Sequence, residues 1–246
     1  MDNLLLFYVL LFAVAFLYSS VGHGGASGYL ALMALFGITP AVMKPTALML
    51  NLFVALTSFT YYYKGKYFNG RLFWPLALAS VPMAFLGGSM VVHADLYKKL
   101  LGVFLLIPIV RFLFFRDIDV DETKKPHMGW LILLGGGIGF LSGLLGIGGG
   151  VILSPILLLL AWTNQKQTAA ISALFIFVNS LSGLLGQITK GITFSPDMVS
   201  YVAIAFAGGL LGSYCGALRF PQSAIKLLLA LVLMVASFKL FLPNLL

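Results

Sequence analysis

Two glycine-rich segments interrupt long apolar runs at corresponding places in the two halves of this chain. They are Gly22-His23-Gly24-Gly25 and Gly146-Ile147-Gly148-Gly149-Gly150. Each segment follows an apolar run about long enough to cross a bilayer and precedes a second apolar run. Unwound backbone at the glycines would therefore lie within or near the hydrocarbon. Backbone N–H groups cannot stay unpaired there unless they line a polar cavity. Paired breaks of this kind in two related halves point to a transporter's binding site.

The composition is that of an integral membrane protein. It is 61% hydrophobic and 9% charged, whereas a soluble domain is about half apolar and about a quarter charged. We therefore predict an all-α, polytopic membrane protein. Polar residues divide the chain into ten apolar runs that we expect to be helices, of which the second and seventh are short: 4–21, 28–37, 41–63, 72–92, 97–115, 129–145, 151–161, 168–187, 197–217 and 222–242.

Several classes of function are disfavoured by what the sequence lacks. The net charge of +8 comes from Lys and Arg at the ends of apolar runs, which argues against nucleic-acid binding. There is no phosphate-binding GxxxxGK[ST] loop, and the three histidines lack metal-ligand spacing, so neither ATP nor a metal or other cofactor is expected. The seven acidic residues lie at loops or helix ends. An enzyme is therefore not expected.

An internal duplication is indicated by features that recur at an offset of about 124 residues. Besides the two breaks, Lys64-Gly65 recurs as Lys190-Gly191, and Gly88-Ser89 recurs as Gly212-Ser213. Ala47-Leu48 likewise recurs as Ala173-Leu174. Four matches in the same order favour a repeat over chance. We expect an N-terminal transmembrane repeat in residues 1–115, a connecting cytoplasmic loop in 116–128 and a C-terminal repeat in 129–246.

The relative orientation of the repeats depends on how each break is built. If 4–37 is one interrupted span, each half crosses the membrane four times and the repeats are parallel; if each break is the tip of a hairpin, the repeats are inverted. A single helix over 4–37 would be about 50 Å long, which exceeds a hydrocarbon core of about 30 Å. Inversion also gives the more uneven distribution of Lys and Arg. We favour inverted repeats with cytoplasmic loops at 64–71 and 111–126.

The second break has the composition of an anion-binding site. Four glycines in five positions allow successive N–H groups to converge on one point, since no Cβ blocks the approach. The apolar leg that follows, 151–161, would direct its positive N-terminus into the same space. A negatively charged oxoanion suits such a site. The alternative is close helix packing, for which membrane helices also use small residues.

Two ionisable side chains near the first break could assist. His23 stands at the position that corresponds to Ile147 of the second break. It would relay protons, hold an anion or donate a hydrogen bond to a nearby carbonyl. Lys44 follows the second leg of the first break, between two prolines. It would supply a cation to the substrate if it faces the cavity, or extend to the membrane interface if it does not.

Polar residues inside the runs after each break form a third group of candidates. Thr46 and Asn51 lie in the first half, and Ser172 and Asn179 in the second. They would bind substrate or a coupling ion, or hydrogen-bond between helices. Coupling to protons would require His23, and coupling to sodium would require carbonyl and hydroxyl ligands.

The second break and the run after it resemble a known family. Gly146-Ile-Gly-Gly-Gly-Val-Ile-Leu-Ser-Pro155, followed by Thr168-Ala-Ala-Ile-Ser-Ala-Leu174, is similar to the signature of TauE/SafE sulfite and organosulfur anion transporters. The first half repeats it more loosely, with His23 and Ala26 and without the proline. The resemblance implies transport of sulfite, sulfonates or related carboxylates across the bacterial inner membrane without ATP.

From these features we predict a secondary transporter with alternating access, in which the breaks hold a small anion near the midplane. An anion channel with the same segments lining a pore is the alternative. A coupling ion, proton or sodium, would be a second ligand. A homo-oligomer is compatible with the sequence.

Overall fold

The computed structural model describes residues 2–20, 25–114, 123–192 and 196–216, together with 230, 233–235, 237–238 and 240. This part of the chain contains no strand, so the prediction of an all-α protein is confirmed. The described residues form nine helices of ten residues or more: α1 (Asp2–Ser20), α2 (Ala26–Leu35), α3 (Pro40–Lys64), α4 (Gly70–Ser89), α5 (Ala94–Phe114), α6 (Met128–Leu145), α7 (Gly150–Leu159), α8 (Gln165–Ile188) and α9 (Pro196–Gly216).

These helices follow nine of the ten predicted apolar runs. Four of them, α3, α4, α6 and α8, are both long and apolar enough to cross a bilayer. The tenth run, 222–242, is described only at seven positions, all of them helical. Among these, the buried Ser237 hydroxyl donates to the Gly102 carbonyl of α5 at 2.9 Å. Ser237 therefore lies against α5.

Helices α4 and α6 are joined by a seam of backbone contacts. Three glycines spaced four residues apart on α6, namely Gly135, Gly139 and Gly143, have no room for a Cβ because an α4 carbonyl lies against each one. The carbonyls belong to Leu76, Ser80 and Ala84 respectively. The contacting residues increase in number in the same direction on both helices, so α4 and α6 run parallel. Small residues allow this close approach in membranes, where helix association depends on packing.

A corresponding seam joins α1 and α9. Gly208 and Gly212 of α9 lie against the carbonyls of Phe12 and Phe16. Under the predicted offset Phe16 corresponds to Phe140 of α6, whose carbonyl is likewise covered by a glycine, Gly87 of α4. Helix α1 thus packs on α9 as its equivalent, α6, packs on α4.

The centre of the molecule is the crossing of α3 and α8. Helix α8 also contacts α4, α6 and α7. The Asn51 amide donates to Ser180 at 3.2 Å, and Leu48 lies against Gly183. Along these contacts the residue numbers increase on α3 and decrease on α8, so the two helices cross antiparallel.

One end of the bundle, which we call the basic end, carries the 64–71 loop. Phe59, Phe68, Phe73 and Trp74 form a chain of ring contacts there with centroids 5.3–5.4 Å apart. Aromatic clusters beside Lys and Arg are typical of a membrane interface. The Lys166 ammonium donates to the Tyr67 hydroxyl at 3.1 Å. Helix α8 therefore begins at the basic end and finishes at the opposite end.

Candidate functional site

The second break is a chain reversal built on left-handed glycines. Helix α6 ends at Gly146, whose φ is 79°, and α7 is preceded by Gly148 and Gly149 with φ of 73° and 78°. An L residue with a side chain is strained in this region, so glycine is required. Gly149 lies against Ile138 and Ser142 of α6. Since Ile138 precedes Gly149 by eleven residues, the chain turns back toward α6 before α7 begins, and α7 itself packs against α8 and α5.

The first break has a similar second leg. Helix α2 begins after Gly25, which is left-handed with φ of 69°. Gly28 lies against Val14 and Tyr18 of α1, so this leg folds back toward α1. Gly22, His23 and Gly24 lie outside the described residues.

Both short helices begin inside the protein without a capping side chain. Neither Gly25 nor Gly149, the residues at the N-cap positions of α2 and α7, provides one. The opening residues of each helix are buried. A helix leaves its first four N–H groups without intrahelical partners, and capping side chains or ligands normally satisfy them. These two helix starts therefore present amide donors to the interior.

Side chains from both halves of the chain meet the second break. Gly148 lies against Asn51 of α3 and Ser180 of α8. Both side chains are fully buried. The Asn51 Nδ2 donates to Ser180 Oγ, and its Oδ1 has no hydrogen-bond partner in the described part of the chain. The break is thus enclosed by polar groups from both halves.

Other buried polar atoms without partners lie near the breaks. Ser142 Oγ and Tyr29 OH have no hydrogen-bond partner among the described residues. Ser142 lies beside Gly149, and the Tyr29 ring lies against Gly25. Asn179 donates to the Phe175 carbonyl at 2.8 Å, and its Oδ1 has no partner within the same described ranges. Buried polar groups are usually hydrogen-bonded, so the unpartnered atoms beside Gly25 and Gly149 make these positions candidates for a ligand.

The remaining candidates are placed differently. The Thr46 hydroxyl donates to the Val42 carbonyl at 2.6 Å, and Ser172 Oγ lies 2.9 Å from Ser154 Oγ. These two matched positions thus have protein partners. The Lys44 backbone packs against Gly146, but its ammonium lies 5.9 Å from the centroid of the Tyr97 ring. Among the described candidates, Asn51 is the one whose polar side-chain group lies against the second break.

Comparison with known proteins shows the family of this chain. The family model described as sulfite exporter TauE/SafE matches residues 7–240. The chain belongs to the TauE/SafE family. A probable membrane transporter protein of Sinorhizobium fredii is 33% identical, covering 93% of this chain and 94% of the relative. One of Methanocaldococcus jannaschii is 30% identical over 80% of this chain and 76% of the relative. No solved structure matches.

As a TauE/SafE protein, the chain is a multi-pass membrane protein of a transporter family. The candidate site includes residues that the sequence analysis did not name. Ser142 lies one helical turn before Gly146, a spacing that could have indicated it. The Tyr97 hydroxyl donates to the Leu145 carbonyl at 2.9 Å, which satisfies the end of α6. This contact joins positions 48 residues apart, so no local pattern indicates it.

Proposed function

We propose that this TauE/SafE protein is a secondary transporter that moves a small oxoanion, such as sulfite, a sulfonate or a related carboxylate, across the bacterial inner membrane. The observation that carries the proposal is the start of α7. It is buried, has no capping side chain and contacts Asn51 through Gly148. Amide donors in such a place suit a ligand with several negatively charged oxygens.

The surroundings favour an anion over a cation at this point. A helix N-terminus carries a partial positive charge, and burial strengthens its attraction for an anion. The Asn51 Nδ2 and the Ser180 hydroxyl would add donors after a small rearrangement of their mutual hydrogen bond. No carboxylate is among the residues that contact Gly148 or Gly149 in the described part of the chain.

Alternating access is proposed from the arrangement of the halves. The antiparallel crossing of α3 and α8 supports inverted repeats, because these helices are equivalent under the duplication. The second break belongs to one half, and Asn51 belongs to the other. Rocking of one half against the other would therefore open the site to one side and then to the opposite side.

The coupling ion is proposed from the same interior. A sodium ion would use carbonyl and hydroxyl oxygens, and Oδ1 of both Asn51 and Asn179 lacks a partner within the described residues. A proton would use His23 instead. A sodium gradient and a pH gradient, applied separately to proteoliposomes, would distinguish the two.

Counterflow of labelled sulfite into proteoliposomes preloaded with unlabelled sulfite tests the function. We expect faster labelled uptake in preloaded than in empty vesicles, and the same measurement with propanesulfonate covers the organic anions. Ionic current without acceleration by internal substrate would identify an anion channel instead. The absence of flux for every anion tried would contradict the proposal.

A further inference from the structure

A cavity of about 310 Å³ opens at the end of the bundle opposite the basic end. Its wall combines the start of α3, the end of α4 with the segment after it, Tyr97 of α5 and the end of α8. At roughly 30 Å³ per water molecule, the volume corresponds to about ten waters. It lies at the lower limit of cavities that hold small organic ligands.

The polar part of the wall carries donors and positive charge. Lys44 is half-buried and has no carboxylate partner in the described ranges. Gln187 is 4% exposed, and its Nε2 has no hydrogen-bond partner there either. Lys190 is exposed at the rim. No Asp or Glu belongs to the described wall.

Helix structure does not account for these groups. Lys44 lies near the amino-terminal end of α3, where the helix dipole disfavours a cation. A buried amide such as that of Gln187 normally has a partner. A bound anion would satisfy both groups at once. The rest of the wall is apolar where Met90, Val91 and Val92 form it.

We propose that this cavity is a second anion site, the entrance site, which binds a small organic oxoanion before it reaches the second break. The inference rests on the proposed function for its role in transport. Lys44 and Gln187 hold the oxoanion head, Lys190 attracts it from solution, and the segment 90–92 covers a short apolar body. A bare sulfite ion would leave most of the volume filled with water.

Contacts behind the wall connect the entrance site to the second break. The Lys44 backbone packs against Gly146. The Lys44 ammonium lies over the Tyr97 ring, and the Tyr97 hydroxyl donates to the Leu145 carbonyl. Lys44, which would hold the anion at the entrance, thus also contacts the end of α6. The two sites are adjacent but use different groups.

Equilibrium binding of labelled 1-propanesulfonate to the purified full chain tests the entrance site. In a Gly148→Ala background, which blocks the second break, we expect saturable binding that weakens at least about tenfold when Lys44→Gln and Gln187→Leu are added, because a charged hydrogen-bonded contact is lost. Lys190→Gln should weaken binding by at most about fivefold, and less at high salt. Lys64→Gln at the basic end is the matched control and should bind normally.

Two further variants keep the outcome decisive. Lys44→Arg retains the charge and should keep binding, which separates loss of the site from loss of the fold. Gly148→Ala should leave 1-propanesulfonate at the entrance site. Unchanged binding in the double variant, or binding abolished by Gly148→Ala, would overturn the inference. Retained entrance binding in a wild-type protein that shows no counterflow would contradict the proposed function and leave the entrance site supported.

Discussion

The seam between α4 and α6 and the break after α6 use glycine for opposite purposes. In the seam, Gly139 and Gly143 stay helical, and the absence of a Cβ lets α4 approach until backbone meets backbone. In the break, Gly148 and Gly149 are left-handed, and α7 begins without a capping side chain. The contacts of the seam need no ligand to complete them. The break leaves donors available.

This difference separates the two interpretations of glycine density in a membrane protein. Close packing needs glycines at helical spacing with paired backbone groups, and nothing has to bind there. A binding site needs donors that the protein itself leaves unpaired. The two regions lie within fifteen residues of each other, so composition alone does not distinguish them. Backbone conformation and capping do.

Filling the seam should have the largest effect. Gly143→Val places a side chain against the Ala84 carbonyl and the Gly88 nitrogen, neither of which can move independently of its helix. We expect a loss of about 3 kcal/mol of stability or more, with little folded protein recovered by size-exclusion chromatography. Gly137→Ala on the same helix is the control, because nothing lies within 4 Å. Equal recovery of both variants would show that the seam is not tight.

A methyl group in the break should abolish transport rather than folding. Gly148→Ala and Gly37→Ala both place alanine at a left-handed position, with φ of 73° and 71°. Each should cost about 1–2 kcal/mol of stability. Gly37 has nothing within 4 Å, whereas a Cβ at Gly148 meets Asn51. We expect counterflow to fall at least tenfold in Gly148→Ala alone. An equal loss of counterflow in Gly148→Ala and Gly37→Ala would mean that backbone strain, and not the contact with Asn51, causes the effect.

A negative charge at Asn51 should repel the substrate. Asn51→Asp keeps the side-chain size and replaces the donor with a carboxylate, so we expect the KM for sulfite to rise at least about tenfold. Asn51→Ala should have a smaller effect of the same sign. Thr57→Val, which removes an exposed hydroxyl bonded to the Phe53 carbonyl, is the control. An unchanged KM in Asn51→Asp would remove Asn51 from the site.

Removing a cap outside the site should have the smallest effect. Helix α8 begins with a capping box in which the Asn164 side chain accepts from the Gln167 N–H at 3.0 Å. Asn164→Ala should cost about 1 kcal/mol of stability and leave counterflow unchanged. Thermal unfolding and flux measured on the same preparation would check this. A large loss of flux would mean that capping elsewhere matters as much as the uncapped break.

Much of the fold follows from the sequence because the lipid imposes simple rules. Apolar length predicts the helices, and the glycines that end α6 and precede α7 lie where the pattern placed them. The short second and seventh runs became the legs α2 and α7, since neither is long enough to cross a bilayer. Asn51 was chosen for polarity within an apolar run, and it does meet the break.

Which helices and side chains pack against each other could not be predicted in the same way. Glycines at four-residue spacing on α6 indicate a packing face but do not name α4 as its partner. For Lys44 the sequence left two alternatives, an ammonium facing the cavity or one extending to the interface; its backbone and Cβ lie against Gly146, and its ammonium lies 5.9 Å from the Tyr97 ring centroid. The direction of a long side chain depends on neighbours such as Tyr97, which lies more than fifty residues away in sequence.

The central claim is that main-chain amides of the second break hold the anion. Glycine-selective ¹⁵N labelling of the full chain in lipid, with amide signals recorded before and after saturation with sulfite, tests it most directly. Signals assigned to Gly148, Gly149 and Gly150 by single alanine substitutions should shift, while those of Gly135, Gly139 and Gly143 in the seam should stay in place. Saturating anion that leaves the three break signals unmoved would contradict the account.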